Sequence, residues 1–195
     1  LVEDRYEDYR RWALAENKES GDEELWRRWL LPDYDPVRIS QVCHELSFQY
    51  RQAKGRRVLV VGGREVIETL HARGYRLGIV SNLIGEHEVP DWLEEDRLAP
   101  YFSSVVLSSV CHFRKPGAEI YRIALRELGV EPGECVSVAD NIKRDITGAK
   151  EAGIGCNVIF RSPEKKHPVV FTEENRPDAV ISQFTELLDL LPALN

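Results

Sequence analysis

Methionine is absent from all 195 residues, and the sequence begins at Leu1. A translation product starts with Met, so the expectation is a start upstream of Leu1 or methionines missing from the sequence. No apolar run approaches the roughly 18 residues that a membrane-spanning helix needs, and no signal-peptide pattern opens the chain. The reading is a cytoplasmic protein with no membrane partner. An excess of positive charge is lacking too, since 26 Lys and Arg stand against 33 Asp and Glu for a net charge of −7. Polyanions are held by clusters of Lys and Arg, so no nucleic-acid partner is expected. The four cysteines, Cys43, Cys111, Cys135 and Cys156, lack C-x2-C spacing and mostly lie in apolar runs. They read as reduced and buried, not as metal ligands or disulfides. A G-x-G-x-x-G phosphate loop is missing, because Val61-Gly62-Gly63-Arg64 does not supply it; this argues against a dinucleotide-binding protein.

What is present fits one sizeable core with a small accessory subdomain. Over residues 2–53 apolar positions recur every three to four residues. Tyr6, Tyr9 and Ala13 mark one helix. Gly21-Asp22 offers a cap before Leu25, Trp26, Trp29 and Leu30. Ile39, Val42, Cys43, Leu46, Tyr50 and Ala53 mark a third helix beyond Pro36. A helical bundle over residues 1–55 follows, with Trp12, Trp26 and Trp29 in its core. From residue 56 to 195 the texture alternates. Strands are expected over 75–80, 104–107, 134–139, 157–160 and 178–181, and 58–61 reads as a strand or a linker. Helices are expected over 63–73, 116–128, 142–152 and 184–191. Strands alternating with helices of this length imply right-handed crossovers and an α/β fold built on a doubly wound parallel sheet. Residues 161–176 read as a polar surface excursion, whose Arg161, Lys165, Lys166 and His167 are within reach of an anion.

Three strand ends carry chemistry. Ser81-Asn82 follows the strand in YRLGIVSN, and a hydroxyl with the turn's N–H groups can hold a phosphate oxygen. Lys115, in HFRKPGAEIY, supplies a compact ammonium that can neutralise a phosphate and a carboxylate together. Asp140 and Asp145, in CVSVADNIKRD, suit magnesium, which takes oxygen ligands and keeps several waters. Asp140 leaves the strand first and is the metal-ligand candidate. Asp145 is expected to orient Lys115 or a metal-bound water from behind. Asp140 or Asn141 also serves as a helix cap. In a parallel sheet the carboxyl ends of neighbouring strands share one crevice, where these groups can meet. His112 and Arg114, just before Lys115, are further candidates for its lining.

The order Ser81, Lys115, Asp140-x4-Asp145, with Lys115-Pro116 followed by Ile120-Tyr121, resembles the second, third and fourth motifs of the haloacid dehalogenase (HAD) superfamily. That family's usual Gly-Asp is Ala139-Asp140 here. The resemblance implies a HAD-like Rossmannoid core with an N-terminal helical cap, Mg2+ as cofactor, and hydrolysis of a small-molecule phosphate ester by a monomer or homodimer. It assigns catalytic roles to Ser81, Lys115 and Asp145, substrate binding to Ser81, Asn82 and Lys115, and the metal to Asp140. The family's first motif, an apolar strand ending in Asp-x-Asp that supplies the nucleophile, is not found. The only Asp-x-Asp, Asp33-Tyr34-Asp35, sits in a Pro-flanked loop between helices. The expectation is a phosphatase represented by a chain lacking that strand, with a catalytically inactive binding or regulatory module as the alternative. Haloalkanoate dehalogenation, which needs no metal, fits Asp140 less well. A phospho-signalling receiver domain has its acidic residues first and its Lys last, the reverse of the order here.

Overall fold

The computed structural model describes residues 2–162 and 171–194. The chain forms two units. One comprises Leu1–Arg57, Val80–Ala99 and Val105–Arg114; the other comprises Val58–Ile79, Pro100–Ser104 and Lys115–Asn195.

In the first unit α1 (Val2–Glu16) buries Tyr9 and Ala13, and α2 (Asp22–Glu24) runs directly into a π-helical turn, Leu25–Leu30. The wider turn, closed by Leu31 N–H to Trp26 O at 2.8 Å, holds one residue more than an α turn and lets Leu25, Trp26 and Leu30 all face inward. Helix α3 (Pro36–Gln52) starts where Asp35 accepts a hydrogen bond from Val37 N–H and Pro36 fixes the first helical φ. The three elements pack through Tyr9, Trp26, Leu30, Ile39 and Cys43, flanked by Tyr6, Trp12, Trp29 and Tyr50. Tyr9 meets Trp29 edge-on at 5.5 Å, the geometry that aromatic quadrupoles favour.

A buried polar network lies in this core. The Tyr9 hydroxyl donates to the Glu19 carboxylate, Ser108 Oγ donates to Glu19 Oε2 at 3.0 Å, and Arg114 Nη1 lies 3.3 Å from the same oxygen. Burial pushes the Glu19 carboxyl above the usual range, and the Arg114 charge offsets this only in part. Burial and the Glu19 charge together push the Tyr9 phenol up as well. A carboxyl whose folded pKa is raised contributes stability below its unfolded pKa, about 4.3, and loses it as pH rises through the folded value. The stability cost of Glu19→Gln is therefore expected to be largest near pH 4–5 and to shrink toward pH 8. Urea midpoints of both proteins across that range check this; a cost that grows with pH would show the Arg114 pair outweighing burial.

In the second unit α4 (Gly63–Ala72) precedes β1 (Leu77–Ser81), and β2 is Phe102–Leu107; the second half of each of these strands belongs to the first unit. Helices α5 (Glu88–Glu95) and α6 (Ser108–Cys111) lie in the first unit. The second unit continues with α7 (Glu119–Leu128), β3 (Val136–Ala139), α8 (Ile142–Glu151), β4 (Cys156–Phe160), β5 (Ala179–Ile181) and α9 (Leu187–Leu190). The fold is α/β. Among the described residues the strands form two sheets, β1-β2 and β3-β4-β5, and the second is parallel, with Val138 opposite Val158 and Val158 opposite Ala179. Alternation along β4 covers both faces of this sheet. Val158 packs with Val66, Leu70, Ile181 and Leu187 on one side, and Ile159 packs with Ile142 and Ile146 on the other.

Several expectations are corrected. For 58–61 the strand alternative falls and the linker stands, since residues 58–60 form no regular structure and 61 is part of a turn. The helix expected from Pro116 begins at Glu119, because Gly117 is a poor helix former and a carboxylate at the first position suits the positive end of the helix dipole. The C-terminal helix is a 3-10 turn, Phe184–Glu186, followed by α9. All four cysteines are free, but only Cys43 is buried; Cys111 at the end of α6, Cys135 just before β3 and Cys156 at the start of β4 are half-exposed. Of the polar excursion, Lys165, Lys166 and His167 lie outside the described residues.

Candidate active site

Strand β3 ends at Ala139, and the chain turns over Asp140 and Asn141 into α8. The Asn141 side chain accepts from Arg144 N–H at 3.1 Å and caps the helix, so the cap belongs to Asn141. Asp140 is thereby left to project a side chain that is 55% exposed, 3.6 Å from Arg144 Nη2.

Asp145, one turn into α8, points the other way. Its side chain is 2% exposed, and Oδ1 lies 2.7 Å from Lys115 Nζ, itself only 10% exposed. Arg144 Nε reaches the same oxygen at 3.3 Å, while Oδ2 accepts from Asn141 N–H and Arg144 Nη2, both at 3.3 Å. Burial pushes the Lys115 ammonium below the ordinary lysine range, and the Asp145 charge opposes that shift. The Tyr121 hydroxyl donates to the Asp145 carbonyl at 2.9 Å, pinning α7 to the first turn of α8. Close packing of α8 on the Lys115 segment needs Gly148, where a Cβ would lie 2.1 Å from the Pro116 carbonyl oxygen.

Lys115, Asp140 and Asp145 therefore gather at the carboxyl end of β3 in the second unit, whereas Ser81 and Asn82, at the end of β1, belong to the first. The turn after β1 is fixed by two hydroxyls that the sequence pattern did not single out. Ser108 Oγ accepts from Leu83 N–H at 3.0 Å, and Ser109 Oγ donates to the carbonyl of Gly85 at 2.8 Å; Gly85 has the positive φ of 92° that favours glycine. His112 and Arg114 also lie in the first unit, where residues 112–114 run against 17–19 through Glu19 N–H to His112 O and Arg114 N–H to Asn17 O, both 3.1 Å. Asp33 pairs with Arg5 and Asp35 caps α3, so the loop Asp-x-Asp is engaged in holding the bundle.

A hard cation that keeps several waters needs one or two carboxylate oxygens presented to solvent. Asp140 meets that requirement. Asp145 has both oxygens engaged and suits the supporting position. Together the α/β unit, its parallel sheet and the carboxylates at a strand end define a Rossmannoid core.

The chain belongs to the haloacid dehalogenase-like hydrolase family, whose model matches residues 34–159. A glyceraldehyde 3-phosphate phosphatase of Methanothermobacter thermautotrophicus is 33% identical over 128 residues, covering 63% of this chain and 54% of that protein. The chain thus spans about half the length of the curated relatives it matches. A HAD phosphatase from Thermococcus onnurineus superimposes with a TM-score of 0.57 at 30% identity, over 67% of this chain and 57% of that one. The HAD-hydrolase YfnB from Bacillus subtilis matches over 98% of this chain and 84% of its own at a TM-score of 0.63 and 23% identity, a likeness of fold. Among the described residues, no helix is long and apolar enough to cross a membrane.

Proposed function

We propose that this chain carries the phosphate-facing and metal-facing half of a magnesium-dependent phosphatase acting on a small phosphate monoester, as a cytoplasmic monomer or homodimer. The observation that carries this reading is the buried Lys115–Asp145 pair at 2.7 Å beside the exposed Asp140. In this reading residues 1–55 are the cap and 56–195 the core. Ser81 and Asn82 hold a non-bridging phosphate oxygen, and Lys115, oriented by Asp145, neutralises the phosphate and its attacking carboxylate. Asp140 would hold Mg2+, which when bound supplies charge stabilisation to the phosphoryl oxygens. In this reading the 195 residues lack the Asp-x-Asp strand that would supply the nucleophile. The relatives' phosphatase names support the reaction class; the particular substrate rests on cap residues that follow no portable code.

The alternative, an inactive HAD-like binding or regulatory module, is favoured by one observation: the chain's only Asp-x-Asp is engaged structurally by Arg5 and the start of α3. Turnover of p-nitrophenyl phosphate separates the two. The 195-residue chain is expected to show none. A version extended at its N-terminus with the nucleophile strand is expected to show magnesium-dependent turnover, which Lys115→Ala lowers about 10²–10³-fold. Turnover by the 195-residue chain that disappears in Asp140→Asn would mean the nucleophile has been misplaced. An inert extended protein would favour the module.

A further inference from the structure

The first unit holds a second cluster of ligand groups, none of which has a part in the reading above. His44 on α3, Glu86 and His87 each offer a ligand atom, all within 4.8 Å of one another. Both imidazoles are exposed and Glu86 is half-exposed, so an ion can reach them from solvent. The two rings meet edge-on with centroids 5.4 Å apart. His44 is oriented from behind: its Nδ1 lies 2.8 Å from Oδ2 of Asp22, whose side chain is 2% exposed. The other Asp22 oxygen accepts from Ser47 Oγ at 2.6 Å, and Ser47 accepts from Trp26 Nε1 at 2.8 Å. An Nδ1–H donated to a buried carboxylate leaves Nε2 carrying the lone pair, the tautomer that binds metals. The same Asp22 reaches Glu86 through its backbone, with N–H to Oε1 at 3.4 Å.

We infer that His44, Glu86 and His87 form a site for a borderline divalent cation of the zinc class, with Asp22 as its supporting carboxylate. Two imidazole nitrogens and one carboxylate oxygen select Zn2+ and its neighbours over the hard, oxygen-seeking Mg2+. Tetrahedral ligands at ~2.0–2.1 Å from zinc sit about 3.4 Å apart, so the donors must draw in by roughly an ångström. Exposed side chains do this by small χ rotations. Because His44 lies on α3 and His87 stands just before α5, a bound ion ties together two stretches of the first unit that are distant in sequence. Glu86 also lines a cleft of about 560 Å³ in that unit, together with Asp22, Arg27, Arg28 and His112.

The test titrates metal-free protein with Zn2+ against a chromophoric chelator, alongside thermal melting and the visible spectrum of the Co2+ form. One equivalent is expected to bind with micromolar affinity or better, to raise the melting temperature, and to give the intense absorption of four-coordinate Co2+ without a thiolate band. His44→Ala and His87→Ala should each weaken uptake at least about tenfold, and Asp22→Asn about 10–100-fold. His44 is 56% exposed, so its variant should fold, which circular dichroism verifies. Asp140→Asn and a large excess of Mg2+ should leave zinc uptake unchanged. Failure of the intact chain to take up zinc overturns the site, as does unchanged uptake by the His44→Ala/His87→Ala double variant.

Discussion

Replacing Asp145 by Ala is expected to destabilise the second unit by about 3–5 kcal/mol, a large part of the ~5–15 kcal/mol that holds a typical domain folded. The variant leaves the Lys115 ammonium in a site where it is only 10% exposed, with its 2.7 Å partner removed. The cost is mostly that of a stranded buried charge, not the net worth of the pair. Lys115→Met combined with Asp145→Leu should therefore recover most of the loss, since apolar replacements of similar volume remove both charges together. Urea denaturation of the two variants separates these contributions. A single variant within about 1 kcal/mol of the parent would mean that water reaches Lys115 readily and that the pair is no buried anchor.

Gly148→Ala is expected to cost about 3 kcal/mol, near the upper end for overpacking a filled interior. The added Cβ would stand 2.1 Å from the Pro116 carbonyl oxygen and 2.9 Å from its carbon, both backbone atoms that no rotamer change can move aside. Relief requires α8 to shift from the Lys115 segment, which also stretches the Lys115–Asp145 contact. The two substitutions should therefore couple, and the double variant Gly148→Ala/Asp145→Ala should cost clearly less than the sum of the singles. Additivity within ~0.5 kcal/mol would show that helix position and ion pair are independent.

The parts of the fold legible in the sequence are those set by local patterning. The apolar runs that became β3 and β4 and the stripes of α1, α3, α7 and α8 were readable because burial of one face, or of both, imposes its period on the residues. Helix α5 was not, since Pro90 lies within Glu88–Glu95 and reads as a breaker. In the first turn a proline costs no hydrogen bond, because N–H groups there have no intrahelical partner. The π-helical turn at Leu25–Leu30 was equally hidden, as one extra residue per turn leaves no distinct pattern in so short a run. Around the strand ends, residue types and order singled out Ser81, Lys115, Asp140 and Asp145. The support of Arg144 and Tyr121 for Asp145, and of Ser108 and Ser109 for the turn after β1, depends on contacts across 24 or 25 residues in three of the four cases, and such distances leave no local trace. Cysteine burial was overread, because an apolar neighbourhood in sequence does not bury a residue at the end of a short helix or strand.

The Glu19 network also bears on how the protein is made. Ser108 reaches Glu19 across 89 residues of chain. At typical synthesis rates of about 5–20 residues per second, Glu19 leaves the ribosome some 4–18 seconds before the hydroxyl that will bind it. During that interval Glu19 has Tyr9 as a partner but neither Ser108 nor Arg114. Completion of the network thus waits for the arrival of residues 105–114. A nascent chain stalled before them would hold the Tyr9–Glu19 contact without Ser108 or Arg114.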